Sequence, residues 1–174
     1  LSDDTFRRVF SHLDSKQFQE CFTKWVCDIQ EEIGVHIAID GKTLRGSASS
    51  GKRPLHMVSA FSSEMRLVLG QCVTHEKSNE ISAIPELLKI IALKDAVVTI
   101  DAMGCQKHIA SDICEAGGHY ILALKGNQKT LHRDVVDYFE DDVLTKDLEI
   151  FTTTSKAHGR IEERSIRKSS DILW

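Results

Sequence analysis

Two short apolar runs each close on an aspartate: VHIAID from Val35 to Asp40, and AVVTID from Ala96 to Asp101. Each acid follows an isoleucine, Ile39 or Ile100, and each precedes a stretch of small or polar residues. A charged residue ending an apolar strand sits at the carboxyl edge of a sheet, where open α/β sheets place ligands. Carboxylates there suit a hard divalent cation, because Mg²⁺ takes oxygen ligands and keeps several waters, so one or two carboxylates per ion suffice. Two such ions about 3.5–4 Å apart activate the attacking oxygen and stabilise the leaving oxygen of a phosphoryl transfer. The plainer alternative is that each aspartate only caps the turn after it. Both readings stay open, and adjacency of the two strands favours the metal.

Basic residues flank these acids. From Gly41 to Arg53 there are four (Lys42, Arg45, Lys52 and Arg53) and no acid. Lys42, two residues past Asp40, is placed to meet a phosphate beside the metal. This loop is glycine-rich but lacks the GxxxxGK[ST] spacing of a nucleotide-binding loop. Lys125, in Lys125-Gly126-Asn127, ends a later strand at the same expected edge and is a second phosphate candidate. A solvated terminal charge is the alternative for either lysine. From Lys156 to Lys168 five basic residues stand against Glu162 and Glu163, whereas Asp134 to Glu149 carries seven acids and one lysine. The net charge of −4 therefore hides two basic strips that can grip a phosphate backbone locally. His75, His108, His119 and His132 show no metal-ligand spacing and read as structural or surface residues.

The elements that position these residues follow from periodicity. Ser2 is placed to cap a helix bearing Phe6, Val9, Phe10 and Leu13 on one face. Ser15 is the expected cap of a second, with Phe18, Cys21, Phe22, Trp25, Val26 and Ile29 as a packing face. Gly34 ends the helical pattern. Strands are expected at Val35–Asp40, Leu55–Phe61 and Leu67–Thr74, with residues 41–53 as a loop, and their short connections suggest an antiparallel meander. After that, helix and strand alternate. Helix 81–91 has Ser78 or Asn79 as cap, then come strand 96–101, helix 106–116 stopped by Gly117-Gly118, strand 119–125 and helix 130–139. Two paired strands, 149–154 and 160–167, close the pattern. A meander followed by βα units makes a mixed sheet. Right-handed crossovers place the 96–101 strand beside the 35–40 strand, on its far side from the meander. A purely parallel doubly wound sheet is the alternative, disfavoured by three consecutive strands.

The length of 174 residues suits one compact domain with a small appendage, and 41 % hydrophobic with 28 % charged residues is ordinary for a globular chain. No apolar run is long enough to span a membrane, and residues 1–4 show neither a basic nor an apolar leader, so a cytoplasmic protein without a signal peptide is expected. The chain does not start with Met and reads as a fragment. Its five cysteines are odd in number and without CxxC spacing, so buried free thiols are expected.

Five blocks add a resemblance covering residues 4–167. IAIDGKTLRGS, VSAFSSEMRLVLGQCVTHEKSNEISAIPELL, VVTIDAMGCQKHIA, GGHYILALKGNQ and KAHGRIEERSIR, in that order, resemble transposases of the H-repeat-associated ISAs group of insertion sequences. The resemblance implies a ribonuclease-H-like α/β fold behind an N-terminal helical segment, and a DDE triad holding Mg²⁺ or Mn²⁺. It implies a homo-oligomer acting on DNA, both insertion-sequence ends and target. The first acid maps onto Asp40 and the second onto Asp101. The family's third, a glutamate in a helical block resembling HWxxEN, has no counterpart before Trp174. Glu162, in HGRIEER, is the alternative third acid, although that segment reads better as a strand entering the insertion the family carries between its second and third acids. Lys42, Arg45, Lys125, His158 and Arg160 are the expected DNA contacts.

The expected organisation is a helical segment at 1–33, the first part of the catalytic core at 34–148, and the start of a β-rich insertion at 149–174. The expected activity is metal-dependent phosphodiester cleavage and strand transfer, which the fragment alone is not expected to perform. One alternative is a truncated or decayed remnant that binds DNA or a partner without catalysis. A phospho-receiver domain, with Asp101 as acceptor and Lys125 on the next strand, would explain TIDAMG but not the three-strand start or the basic loop after Asp40.

Overall fold

The computed structural model describes residues 2–30, 36–48, 54–74, 80–157 and 159–170. Gly34, Lys52, Arg53, His75, the expected cap Ser78 or Asn79, and His158 lie outside the described residues. No described helix is long and apolar enough to cross a membrane. The chain divides into two compact units, Leu1–Asn127 and Gln128–Trp174, and the boundary falls inside the 34–148 segment.

The first unit opens with helices α1 (Asp3–His12) and α2 (Ser15–Gln30). Asp3 and Asp4 occupy the first turn of α1, where the helix dipole favours acids. Ser2 holds the cap position, but its hydroxyl meets that of Thr5 at 3.0 Å instead of a backbone amide. At α2 the cap is Asp14, not Ser15: Asp14 Oδ1 accepts from the Gln17 amide at 2.9 Å. Only part of the expected apolar face of α2 reaches the core. Val26 is buried and Phe22, one turn earlier, packs against the same cluster. Phe6, Val9, Phe10 and Leu13 stay at least 44 % exposed, so their shared face has no cover among the described residues.

Strands β1 (His36–Leu44), β2 (Leu55–Ser62), β3 (Leu67–Thr74), β4 (Val97–Ile100) and β5 (His119–Leu122) form one mixed sheet, ordered β3-β2-β1-β4-β5. The first three are the antiparallel meander, while β4 pairs parallel with β1 and β5 parallel with β4. The 97–100 strand thus lies where the sequence placed it, beside β1 and away from β2 and β3. One boundary differs with consequence. β1 does not end at Asp40 but continues to Leu44, because Gly41–Leu44 pair with Leu55–Val58 of β2. Polarity marks Gly41–Leu44 as loop, yet an available ladder partner satisfies their backbone groups and keeps them extended.

One face of this sheet holds the core. Ile37 and Ile39 of β1, Val58 and Ala60 of β2, and Val98 and Ile100 of β4 alternate inward. They meet Ile84, Leu87 and Leu88 of α3 (Glu80–Leu88) and Ile109 and Ile113 of α4 (Lys107–Glu115). Fully burying each such aliphatic side chain contributes about 1.5–3 kcal/mol. A bulge between Ala60 and Phe61 adds a residue to β3 and breaks its alternation, so the successive Leu69 and Gly70 are both buried. α4 stops at Gly117-Gly118, whose amides donate to Cys114 O and Ile113 O.

Among the described residues Cys21, Cys72, Cys105 and Cys114 are free; Cys21 and Cys114 are exposed, contrary to expectation, and Cys72 and Cys105 are half-buried. On α4 the buried line is Ile109 and Ile113, four apart; Cys114, one residue on, is rotated about 100° away.

The second unit contains α5 (Lys129–Glu140), α6 (Asp142–Thr145) and a hairpin of β6 (Ile150–Ala157) and β7 (Arg160–Arg167). Asp141 caps α6 by accepting from the amides of Val143 and Leu144. Arg167 donates to Phe139 O at 2.9 Å, tying β7 to α5.

Candidate active site

The β1–β4 register places the two aspartates. Its last pairs are Ala38 with Thr99 and Ile39 with Ile100, so the next residues on the two strands are Asp40 and Asp101. Parallel neighbours stand about 4.8 Å apart, and alternation sends both side chains to the face opposite the α3 core. Asp101 lies just past β4 but keeps an extended backbone, φ −68° and ψ 179°. β1 continues beyond Asp40, yet its pairing with β4 stops at Ile39. Asp40 therefore lies at the end of the β1–β4 ladder without lying at the end of its own strand.

Both carboxylates are exposed. Asp101 Oδ1 accepts from the Met103 amide at 3.0 Å, so the capping role is real. One oxygen satisfies it, and the other has no partner among the described residues. The carboxylate of Asp40 has neither a hydrogen-bond nor an ion-pair partner among the described residues. The described salt bridges, His56–Glu80, Glu86–Lys89, Asp134–Arg133, Asp147–Lys146 and Glu162–Arg164, involve neither Asp40 nor Asp101. Two like charges about 4 Å apart in water repel by about 1 kcal/mol, so exposed carboxylates on neighbouring strands disfavour each other only mildly. A divalent cation between them reverses that sign, and oxygen donors are what a hard cation selects. Among the described residues no group of three or more His, Cys, Asp or Glu is arranged to hold a metal ion.

The connection after Asp101 is held closely. Residues 102–104 form a 3-10 turn in which Ala102 and Gly104 are buried. A Cβ on Gly104 would stand 3.2 Å from Ile84 Cδ1 and from Ile100 Cβ, so glycine lets the turn lie flat on β4 and α3. Asn127 Nδ2 donates to Ala102 O at 2.6 Å, anchoring the segment that follows β5 to the turn beside Asp101. Lys125 is exposed within that segment, at the edge where Ala123 N donates to Ile100 O.

Lys42 is exposed and in phase with Asp40, two residues further along β1. Arg45 begins a 3-10 turn at the end of β1. An open cavity of about 890 Å³ runs along Gly41–Leu44, Gly46, Ser47 and His56. In the second unit Arg160 and Glu162 are exposed on β7, and Glu162 Oε2 accepts from Arg164 at 2.8 Å.

A buried polar pair beside Asp40 has no counterpart among the expected site residues. His56 and Glu80 are 3 % and 5 % exposed and bonded to each other through His56 Nε2 and Glu80 Oε1. The signal was available: in LHMVSAFS, His56 shares the inward phase of Val58 and Ala60, and a polar residue in that phase needs a buried partner.

Comparison with known proteins identifies the family. Residues 32–171 match the family described as "Transposase DDE domain", whose members generally use divalent metal ions. The chain is 50 % identical over 166 residues to "Putative transposase YncI" of Escherichia coli K12, covering 93 % of this chain and 67 % of that one. It is 44 % identical over 170 residues to "H repeat-associated putative transposase YhhI" of the same organism, covering 92 % of this chain and 44 % of that one. A third relative, from Xanthobacter autotrophicus, is 43 % identical over 99 % of this chain and 60 % of its own length. The chain thus spans about half to two thirds of the relatives it matches. Among solved structures, the piggyBac transposase synaptic complex with hairpin DNA superposes with a TM-score of 0.50 at 12 % identity, covering 80 % of this chain and 34 % of that one; the likeness is one of fold. With the matched region spanning β1 to β7 and both aspartates, the chain belongs to the DDE transposase domain family.

Proposed function

We propose that residues 34–148 form the first part of a ribonuclease-H-like catalytic core that cuts and joins insertion-sequence DNA, with 1–33 a helical segment and 149–174 the start of a β-rich insertion. Asp40 and Asp101 are the first two metal ligands, for Mg²⁺ or Mn²⁺. The observation that carries the reading is the pair of carboxylates brought side by side by the Ile39–Ile100 register and left without a cationic partner among the described residues. A divalent cation held there by Asp40 and Asp101 would supply Lewis acidity to phosphoryl transfer. Asp40 and Asp101 orient the cation. Lys42, Arg45, Lys125, His158 and Arg160 hold the phosphate backbone, fixing register without reading bases. The reaction is hydrolysis of a phosphodiester at the element end, leaving a 3′-hydroxyl, followed by attack of that hydroxyl on target DNA with displacement of a second 3′-oxygen. A homo-oligomer on DNA, in the cytoplasm, is the working form. Glu162, whose carboxylate pairs with Arg164 on the exposed β7, is less favoured as the third acid than a glutamate in the family's HWxxEN-like helical block.

The test replaces Asp40 and Asp101 separately with asparagine, which keeps shape and removes charge. Mn²⁺ uptake by the chain, read from the electron paramagnetic resonance signal of the free ion, should be lost in both variants. Mg²⁺-dependent cleavage of element-end DNA should be lost when the same changes are made in a transposase of the relatives' full length. Retention of uptake and cleavage in either variant removes that residue from the site.

A further inference from the structure

We infer that Glu80 and His56 form a positioning pair that holds the β1 backbone in place at Asp40. The inference rests on the metal-site reading of Asp40 above. Three elements meet at this point. Glu80 opens α3, His56 lies near the start of β2, and Thr43 lies opposite His56 on β1. His56 Nε2 bonds Glu80 Oε1, and its Nδ1 bonds the Thr43 hydroxyl at 3.0 Å. The His56 carbonyl also accepts from Thr74 Oγ1 at 3.5 Å, on β3. The chain of contacts therefore reaches from α3 across β2 to β1.

Gly41 connects this chain to the site. A Cβ there would stand 2.6 Å from Glu80 Cδ and 2.9 Å from His56 Nε2, and in contact with Glu80 Oε1. Gly41 is ordinary extended strand, so glycine is needed for room and not for its φ. The peptide joining Asp40 to Gly41 thus rests against the buried pair on one face, while the Asp40 carboxylate projects from the other. The Asp40 carboxylate has no hydrogen bond or ion pair among the described residues that would set its direction, so its position is inherited from this backbone.

Energetics argue against simple stabilisation as the reason for the pair. Replacing a buried polar pair by apolar residues of similar volume is often neutral or stabilising. Polar contacts with defined directions fix geometry where apolar packing tolerates sliding. Partners behind a metal ligand typically change metal affinity by about 10–100-fold when removed.

The experiment uses the whole chain unaltered and as Asp40→Asn, Glu80→Gln and the double variant Glu80→Leu with His56→Leu. It reads Mn²⁺ affinity, the urea midpoint, and amide hydrogen exchange at Gly41 and Lys42. The double variant should unfold at the same or higher urea, bind Mn²⁺ at least about tenfold more weakly, and exchange faster at both amides. Glu80→Gln, which keeps the shape and hydrogen bonding, should bind within about threefold of the unaltered chain. A folded double variant with unchanged affinity and exchange overturns the inference. So does Glu80→Gln losing Mn²⁺ as completely as Asp40→Asn, since Glu80 would then be a ligand. If the double variant does not fold, Thr43→Val removes only the hydroxyl bonded to His56. About threefold weaker binding with faster exchange is then expected, and no change in either overturns the inference. Should the unaltered chain show no Asp40-dependent uptake, the metal-site reading fails, and the exchange data alone decide whether the pair holds β1.

Discussion

The two faces of β1 are built for different ends. On one, Ile37, Ile39 and Gly41 press against the α3 layer, and the polar groups that enter it, His56 and Glu80, are buried and bonded to each other. On the other, Ala38, Asp40 and Lys42 are half-buried or exposed, and the Asp40 carboxylate has no partner among the described residues. On the closed face an unpaired polar group would cost about 1–3 kcal/mol, so each must be matched. On the open face water satisfies the carboxylate at little cost, and an incoming cation can replace that water. A single strand thus carries fold stability and candidate chemistry on alternate residues, and a one-residue slip of register would exchange them.

This contrast can be broken by making like changes on each face. The largest effect belongs to the open face: in a transposase of the relatives' full length, Asp40→Asn or Asp101→Asn should lower Mg²⁺-dependent DNA cleavage by at least about 100-fold, beyond the usual effect of groups that only support a ligand. The urea midpoint should hardly move, because exposed substitutions stay within about 0.5 kcal/mol. Comparable destabilisation would mean that the acids serve the fold instead. On the closed face Leu87→Ala should cost about 2–5 kcal/mol in urea unfolding, while the folded fraction keeps its Mn²⁺ affinity. A change in affinity without a change in stability would blur the division between the faces.

Smaller effects sharpen it. Lys42→Ala should weaken DNA binding similarly across unrelated sequences and reduce the salt slope by about 1, as for the loss of one phosphate contact. Sequence-selective loss would instead make Lys42 a reader of bases. The mildest probe is Cys72, paired with Val58 on the inward side of the meander. Burial, with the Glu86 charge second, raises its thiol above the ordinary cysteine range. Less thiolate is then present at a given pH. Alkylation of Cys72 near pH 8 should lag behind that of exposed Cys21 and Cys114, and its rate should climb at higher pH. Equal rates would show that β3 opens readily.

Much of this was legible because apolar periodicity reports which face of an element is covered. The meander, the alternation after it and the placement of Ala96–Asp101 beside Val35–Asp40 follow from strand-length apolar runs and the handedness of crossovers, and the observed order β3-β2-β1-β4-β5 agrees. Local composition is overridden where a remote partner or the rotation of a helix decides the outcome. Gly41–Leu44 read as loop by polarity, but β2 supplied a ladder for it. Cys114 read as buried by its apolar neighbours, but helical rotation turned it outward. The expected face of α1 is present in the residues, and its exposure depends on what packs there.

Residue order alone determined the two aspartates that close apolar runs, the basic strip after the first, and the family blocks that contain them, because these are local patterns of side-chain type. Only the tertiary structure decided that Asp40 and Asp101 fall one step beyond the same pair of isoleucines, and that His56, Glu80 and Gly41 meet behind them. The reason is physical: register and side-chain contact arise from packing between segments distant in the chain, and no single segment encodes them.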